Sequence, residues 1–234
     1  MISVAIIGSG NVATHLASAF LKVDGISLIH LNSRKLDVIP DADIAIIAIS
    51  DNAIAKVSSK IKNSFVVHTS GSVEMKALKN SGTKGVFYPL QTFSKEKEID
   101  FTQIPFCLEA ENQSDLSILE TLVSLLQGKV YHINSEQRKS IHVAAVFVNN
   151  FTNHMYTIAH DVCKQYDVPF DILKPLIEET SQKIKNISPK EAQTGPAKRN
   201  DTETIQNHLN LLTQSQQDIY LKITQSIQEH GKKL

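Results

Sequence analysis

Few features of the 234-residue sequence point to a redox-active cysteine pair, a membrane or a metal. Only two cysteines occur, Cys107 and Cys163, and they lie too far apart to form a CxxC pair. No apolar run approaches the roughly 18 residues that a membrane-spanning helix needs. The nine histidines form no HExxH motif, and there is no GxSxG nucleophile elbow. We therefore expect no catalytic metal.

Excess charge of either sign is also absent, since 24 Lys and Arg residues balance 24 Asp and Glu residues. A neutral chain has no general field that attracts nucleic acid or an anionic membrane. The apolar start Ile2–Ile7 is short and lacks a basic leader, so it does not resemble a signal peptide. These features predict a cytoplasmic protein whose ligand is a small molecule.

Short apolar runs alternate with helix-like stretches from residue 1 to about residue 133, which is typical of repeated βαβ units. The predicted strands are Ile2–Ile7, Ser27–Leu31, Ile44–Ile49, Phe65–His68, Gly85–Tyr88, Phe106–Glu109 and Lys129–Ile133. The first and third are apolar at nearly every position, as in strands that are buried on both faces of a parallel sheet.

Only helical patterns follow residue 134, where we place a domain boundary. An apolar stripe predicts a long helix from Ser135 to about Tyr166, and Asp171–Lys185 predicts a second helix. We expect a loop over residues 187–200 and one last helix from Asp201, which can cap it, to Gly231. The fold class is therefore α/β, with a mostly parallel sheet domain (1–134) and an all-α C-terminal domain (135–234).

A glycine-rich turn joins the first strand to the first predicted helix. Bare backbone amides at a helix N-terminus bind a dinucleotide pyrophosphate, and glycines permit the close approach. Ala13 replaces the third glycine of GxGxxG, but alanine also permits close packing. We predict a Rossmann-type cofactor site, with a plain tight turn as the alternative. Its predicted residues are Gly8, Ser9, Gly10, Asn11 and Val12.

The end of the second predicted strand discriminates between cofactors. NAD sites place Asp or Glu there to accept from the ribose hydroxyls. This chain has Asn32-Ser33-Arg34-Lys35 instead, and the Ser33 hydroxyl and Arg34 guanidinium suit a 2′-phosphate. The sequence favours NADP, while a solvated basic loop is the alternative.

Other predicted strands also end in polar residues. Ser50, Asp51 and Ser70 follow the third and fourth strands, where they can contact the cofactor or cap helices. Tyr88 and Gln91 lie at the end of the fifth strand and just after it. We predict that these two residues line the rim of the cleft, together with His68.

Several motifs resemble a bacterial family that joins a Rossmann-like NADP domain to a C-terminal domain of unknown function. In the first half these are Gly8–Ala13, Ser33-Arg34 and Tyr88–Ser94. In the second half they are His142–Asn150 and Thr194–Asp201. The chain is more distantly similar to pyrroline-5-carboxylate reductases, deazaflavin-dependent NADP reductases and β-hydroxyacid dehydrogenases. This resemblance implies hydride transfer and a helical second domain that commonly forms a dimer, here through residues 135–230.

A polar sector of the long predicted helix supplies candidates for catalysis. At about 100° per residue, one face collects Lys139, His142, Val146, Asn149, Asn150 and Asn153. We predict Lys139, His142 and Asn150 as catalytic and Asn149 as substrate-binding, although a solvated helix face gives the same pattern. Imidazole titrates near neutrality, so His142 is the best candidate for the proton donor. β-Hydroxyacid dehydrogenases place Asn four residues after a catalytic Lys, but Val143 stands there, so their mechanism cannot be transferred.

Arg199 lies in the second C-terminal motif, just before the last predicted helix. It can clamp a carboxylate or phosphate of a substrate, as the resemblance favours, or pair with Asp201. The hypothesis is an NADP-dependent oxidoreductase that transfers a hydride to or from a small polar metabolite. A non-catalytic NADP sensor is the main alternative. A methyltransferase fits the residues after the second strand less well.

Overall fold

A computed structural model of the protein describes residues 1–34, 39–62, 65–95 and 97–232. The chain forms two compact units, Met1–Val146 and Phe147–Leu234. This division rests on backbone contacts and falls 12 residues after the boundary that we place at residue 134, because α4 (Ser135–Ala145) belongs to the first unit. The functional division into 1–134 and 135–234 stays a prediction.

The first unit is built on one seven-stranded sheet. Its strands are β1 (Ile2–Ile7), β2 (Ile26–Leu31), β3 (Ile44–Ile47), β4 (Phe65–His68), β5 (Lys84–Pro89), β6 (Pro105–Ala110) and β7 (Lys129–His132). Their order across the sheet is β2-β1-β3-β4-β5-β6-β7. The β5–β6 pair is antiparallel and the other neighbours pair in parallel. The predicted mostly parallel sheet is thus confirmed.

Helices cover both faces of this sheet. Besides α4, the unit contains α1 (Asn11–Phe20), α2 (Ile54–Ser58) and α3 (Gln113–Leu125). Alternate residues of a strand point to opposite faces, so Ile6 and Ile7 enter different cores. Ile6 packs in the cluster that contains residues of α1 and α3, whereas Ile7 packs with Ile54 and Val57 of α2. Burial on both faces explains why β3 is apolar throughout and β1 is apolar at every position but Ser3.

The second unit is helical, which confirms the predicted all-α C-terminal part. The residues Val146–Phe151 form a π-helical segment. After it come α5 (Thr152–Gln165), α6 (Lys174–Asn186), α7 (Pro189–Ala192), α8 (Pro196–Arg199), α9 (Thr202–Leu209) and α10 (Gln214–Lys232).

Three sequence-based expectations for the helices are wrong in detail. The loop expected over residues 187–200 contains α7 and α8, each with a proline in its first turn. The single last helix is broken between α9 and α10. At the break, the Gln217 side chain donates to the carbonyls of Leu209 and Leu212, at 2.9 and 3.1 Å. A polar side chain thus satisfies carbonyls that a continuous helix would have bonded.

The third correction concerns the polar sector of the long helix. The sector of Lys139, His142 and the three asparagines assumed a constant 100° rotation per residue through Val146–Phe151. A π-helix has i→i+5 hydrogen bonds and turns less per residue, so the rotation changes in that segment. The spacing therefore does not establish one shared face.

A buried guanidinium fastens α4 to the sheet. Arg138 is 0% exposed, and its Nη1 donates to Glu109 Oε2 of β6 at 2.5 Å. Its Nη2 donates to the Val73 carbonyl at 2.5 Å and to Ser135 Oγ at 3.1 Å. The Ser135 hydroxyl in turn donates to Glu109 Oε2 at 2.7 Å. One network therefore joins α4, β6 and the loop after β4.

Removal of this guanidinium tests its structural role. Arg138→Ala leaves the Glu109 carboxylate, which is 17% exposed, without its cationic partner. We expect the free energy of unfolding to fall by about 3–5 kcal/mol, as when one member of a buried pair is removed. Urea denaturation followed by circular dichroism measures this change. The matched double variant Arg138→Met/Glu109→Met removes both charges and should recover most of the loss. A single-variant loss below about 1 kcal/mol would contradict the role.

Candidate functional site

A cleft of about 1020 Å³ lies at the carboxyl edge of the parallel strands in the first unit. This edge is where open α/β sheets bind ligands, because the loops that leave neighbouring strands converge there. Nearly all the residues predicted for the cofactor and the rim line this cleft. They are Ser9, Gly10, Asn11, Val12, Ser33, Arg34, Ser50, Asp51, Ser70, Tyr88 and Gln91. His142, predicted as the proton donor, lines the cleft as well.

The N-terminus of α1 opens into the cleft behind a glycine turn. Gly8 has φ +150°, and a Cβ there would lie 2.1 Å from the Ala48 carbonyl oxygen, so only glycine fits. A Cβ at Gly10 would meet no atom within 4 Å. Gly10 is the N-cap of α1 and provides no side-chain hydrogen bond. The first-turn amides therefore lack a side-chain cap and border open space, an arrangement that fits a pyrophosphate.

Ala13 packs against the glycine turn from the core of the sheet. It occupies the position of the third glycine in the motif, is fully buried, and lies in the core cluster of the sheet. Its methyl group fits between helix and strand, so this departure from GxGxxG leaves the close packing intact.

The turn after β2 presents Ser33 and Arg34 to the same cleft. The Arg34 amide donates to Asn32 Oδ1 at 3.0 Å, so Asn32 shapes this turn through its side chain. Arg34 is exposed, and its guanidinium forms no ion pair with the described residues. Lys35, the next predicted cation, lies outside the described residues.

The loops after β3 and β4 are tied together at the cleft. Ser72 Oγ donates to Asp51 Oδ2 at 2.5 Å. Ser70 Oγ accepts from the amides of Ser72 and Val73 at 3.2 and 3.1 Å. Ser50 is the N-cap of a 3₁₀ turn but makes no side-chain capping bond. Ser70 thus stabilises a local turn and caps no described helix, whereas Asp51 joins two loops.

Tyr88 and His142 face each other on the cleft wall. The Tyr88 hydroxyl lies 3.1 Å from His142 Nδ1. Burial raises the pKa of Tyr88 to about 12, with the Cys107 thiol adding to this effect. The hydroxyl therefore stays protonated at neutral pH and can serve as a hydrogen-bond donor.

His68 lies at the end of β4, and it is completely buried and does not line the cleft. Its Nδ1 accepts from the Ser70 amide at 3.2 Å, which orients the loop after β4. Burial and, to a smaller extent, the Arg138 charge lower its pKa from 6.5 to about 4. The position predicted for His68 on the rim is thus wrong, because the imidazole is buried in the protein and binds the loop after β4 from its buried side.

Other predicted site residues do not line this cleft. The Lys139 ammonium donates to Glu74 Oε1 at 2.6 Å, in an ion pair on the surface. Asn149, Asn150 and Arg199 belong to the helical unit. There Arg199 Nη2 lies 4.0 Å from Asp201 Oδ2, and Asp201 caps α9 by accepting from the Thr204 amide, as expected. Arg199 thus has the local partner that was the alternative to ligand binding.

Sequence reasoning missed two cations and one aromatic residue of the cleft. Lys56 lies on α2 and Lys60 follows four residues later, and both border the cleft. Phe93 borders it from the loop after β5, where its carbonyl accepts from Asn11 Nδ2 at 2.7 Å. No motif marks Lys56 or Lys60, since α2 is too short for a clear helical pattern. Phe93 lies within the motif Tyr88–Ser94, but the motif does not show that this loop folds back over α1.

Two further findings concern the described residues alone. Within residues 1–34, 39–62, 65–95 and 97–232, no three His, Cys, Asp or Glu side chains are grouped closely enough to hold a metal ion. No helix in the part of the chain that the structure covers is long and apolar enough to cross a membrane.

Comparison with known protein families shows which family the chain belongs to. Residues 104–227 match the model of a domain of unknown function, DUF2520. The chain belongs to the DUF2520 family. This membership confirms the resemblance drawn from the motifs of the sequence. No curated protein matches the chain significantly.

Solved structures of similar proteins extend over the whole chain. A Bacteroides fragilis protein, provisionally named an NADP oxidoreductase, is 39% identical, with 97% of this chain and 98% of that chain covered and a TM-score of 0.88. The protein TM1727 of Thermotoga maritima is 21% identical, with 98% of each chain covered and a TM-score of 0.74. A Streptococcus pyogenes 1-pyrroline-5-carboxylate reductase is 14% identical, with 100% and 99% covered and a TM-score of 0.62. The two lower identities show a shared fold alone.

The buried His68 predicts an acid-sensitive fold in this member of the DUF2520 family. Because its pKa is lower in the folded protein, about 4 against 6.5, the stabilisation is complete above pH 6.5 and is lost as the pH falls towards 4. We expect the wild type to lose about 3 kcal/mol over this window. Urea denaturation at several pH values measures the loss.

The variant His68→Asn is the matched control, since its side-chain oxygen can still accept from the Ser70 amide. Between pH 6.5 and pH 4, the free energy of unfolding of this variant should fall less than that of the wild type. This holds whatever the stability of the variant at neutral pH. Equal falls in both proteins would show that His68 is not the group that titrates.

Proposed function

We propose that the protein is an NADP-dependent oxidoreductase that transfers a hydride to or from a small polar metabolite. One observation carries the proposal: the uncapped N-terminus of α1 and the Ser33-Arg34 turn open into the same cleft. The name of the Bacteroides fragilis protein, which is 39% identical over nearly the whole chain, agrees with this function.

The cleft offers a separate contact for each charged group of NADP. The first-turn amides of α1, at Asn11 and Val12, would bind the pyrophosphate. The Arg34 guanidinium and the Ser33 hydroxyl would bind the 2′-phosphate, with charge-assisted hydrogen bonds from the guanidinium. Lys56 and Lys60 add positive charge to the same cleft. The described residues of the turn after β2, Asn32, Ser33 and Arg34, include no carboxylate that would accept from an unphosphorylated ribose.

The reaction needs both a hydride and a proton. A bound NADPH supplies the hydride. His142 is the proposed proton donor, because its imidazole lines the cleft and imidazole is the side chain that most often transfers protons in enzymes. Tyr88 and Gln91 are the proposed substrate contacts in the first unit. The hydroxyl of Ser70 and the carboxylate of Asp51 complete the proposed cofactor contacts.

The helical unit contributes further proposed contacts. Arg199 and Asn149 stay proposed substrate-binding residues, and Asn150 a proposed catalytic residue. Lys139 is the weakest of the proposed catalytic residues, because its ammonium is engaged by Glu74.

Cofactor affinity tests the role of Arg34. We expect Arg34→Ala to raise the Kd for NADPH at least about tenfold, because a charge-assisted hydrogen bond to phosphate is lost. The Kd for NADH should change little, since NADH lacks the 2′-phosphate. Titration of NADPH fluorescence measures both constants.

The control for this test is Lys22→Ala, which removes an exposed cation that pairs with Glu98 outside the cleft. It should leave both affinities unchanged. A wild-type preference for NADH, or an equal loss for both cofactors in Arg34→Ala, would contradict the proposal.

We also propose that the helical unit pairs with a second copy of the chain. Among its described residues, Ala197 and Leu209 are the only buried apolar side chains. Large apolar side chains such as Phe147, Val148 and Phe151 are exposed, and others line an apolar groove of about 270 Å³. A helical unit with so little core needs a covering surface, and a homodimer provides one by symmetry.

Sedimentation velocity at micromolar concentration tests this proposal. We expect a species with twice the mass of one chain. Phe147→Glu places a charge on a ring that is 62% exposed and should shift the protein towards the monomer. The control is Leu21→Glu, at an apolar residue that is 74% exposed in the first unit. It should leave the dimer intact, and a monomeric wild type would overturn the proposal.

A further inference from the structure

The contact between Tyr88 and His142 joins the sheet to α4. Tyr88 lies near the carboxyl end of β5, and His142 lies one turn after the buried Arg138. Their rings are 6.2 Å apart and cross at 71°, with the hydroxyl 3.1 Å from Nδ1. Both residues border the cleft.

Gly71 fixes how these two rings meet. A Cβ at Gly71 would lie 2.5 Å from His142 Nδ1 and 2.8 Å from Tyr88 Cζ. The Nδ1 side of the imidazole is therefore packed against Gly71 and the tyrosine. Nε2 of His142 has no hydrogen bond to the described residues, so it is the nitrogen available to a ligand in the cleft.

A tyrosine hydroxyl can bond to Nδ1 in either protonation state of the imidazole. When His142 is neutral and carries its proton on Nε2, the hydroxyl donates to Nδ1. When His142 is protonated, Nδ1–H donates to the hydroxyl oxygen instead. The imidazole thus keeps this partner when a proton is gained or lost.

We propose that Tyr88 is a positioning residue that keeps His142 Nε2 directed into the cleft in both protonation states. This inference rests on the proposed function, in which His142 provides the proton. During reduction of a carbonyl or imine, the N–H bond at Nε2 breaks and an O–H or N–H bond forms on the substrate heteroatom. A bound NADPH would supply the hydride to the substrate carbon and become NADP⁺, while the imidazolium becomes imidazole.

The groups around Tyr88 keep its hydroxyl protonated, so it can form the hydrogen bond to His142. Cys107 of β6 pairs in register with Tyr88, and burial raises the pKa of its thiol, so it stays protonated. Arg138 acts on Tyr88 from α4 and lowers the pKa of Tyr88, but less than burial raises it. Among the described residues, Asp51 is the one carboxylate that borders the same cleft.

Nitrogen NMR of protein labelled with ¹⁵N-histidine tests the inference without a substrate, because the two ring nitrogens report the tautomer directly. His142→Gln identifies the signals. We expect neutral His142 in the wild type to carry its proton on Nε2. In Tyr88→Phe, which keeps the ring but loses the hydroxyl, the ratio of Nε2–H to Nδ1–H should fall about fivefold, as expected for one lost hydrogen bond.

Two variants accompany this measurement. Tyr131→Phe removes the hydroxyl of an exposed tyrosine of β7 and should leave the tautomer ratio unchanged. Gly71→Ala displaces the imidazole from Tyr88 and should change the ratio in the same direction as Tyr88→Phe.

The two proposals can fail separately. An unchanged ratio in Tyr88→Phe, or a wild type with its proton on Nδ1, would overturn the positioning role. NADPH affinity measured on the same samples tests the proposed function. It should be equal in the wild type and the control Tyr131→Phe. A wild type that does not bind NADPH would refute the proposed function without changing the tautomer result for Tyr88.

Discussion

The parallel pairing of β1 with β2 and β3 is the constraint on which the site depends. Ile7 pairs with Leu31 on one side and Ile47 on the other, so all three strands end at one level. Backbone hydrogen bonds extend this register, from the Gly8 amide to the Leu31 carbonyl and from the Ala48 amide to the Ile7 carbonyl. The glycine turn, the Arg34 turn and the loop after β3 must therefore meet. Gly8 allows the closest of these approaches because it has no Cβ.

Buried polar groups position the other wall of the cleft. Arg138 binds Glu109 and the Val73 carbonyl, and His68 accepts from the Ser70 amide. Such groups are costly to bury, and these hydrogen bonds offset part of the cost, although Arg138 Nε and His68 Nε2 have no partner among the described residues. They fix α4 and the loop after β4, the two elements that bring His142 against Gly71. The geometry at His142 thus depends on residues that do not line the cleft.

The two units are stabilised in different ways. The sheet has separate apolar clusters on its two faces, so its strands are buried from both sides. The helical unit has two buried apolar side chains among its described residues and many exposed ones. Its helix termini are nonetheless well defined by side chains such as Ser188 and Asp201. Local capping fixes where these helices begin, but an apolar core that fixes their packing is largely missing from one chain.

The sequence by itself determined the strands, the mostly parallel sheet and the glycine turn, because apolar runs and glycines report local backbone preference and burial directly. It also predicted Arg34 from the residues that follow the second strand and His142 from a family motif, and both line the cleft. Only the tertiary structure decided that His68 is buried, that Lys139 is engaged by Glu74, and that Lys56 and Lys60 border the cleft. The break before α10 likewise depends on the Gln217 side chain. These outcomes depend on contacts between residues distant in the chain or on a single side-chain orientation, and neither leaves a periodic pattern in the sequence.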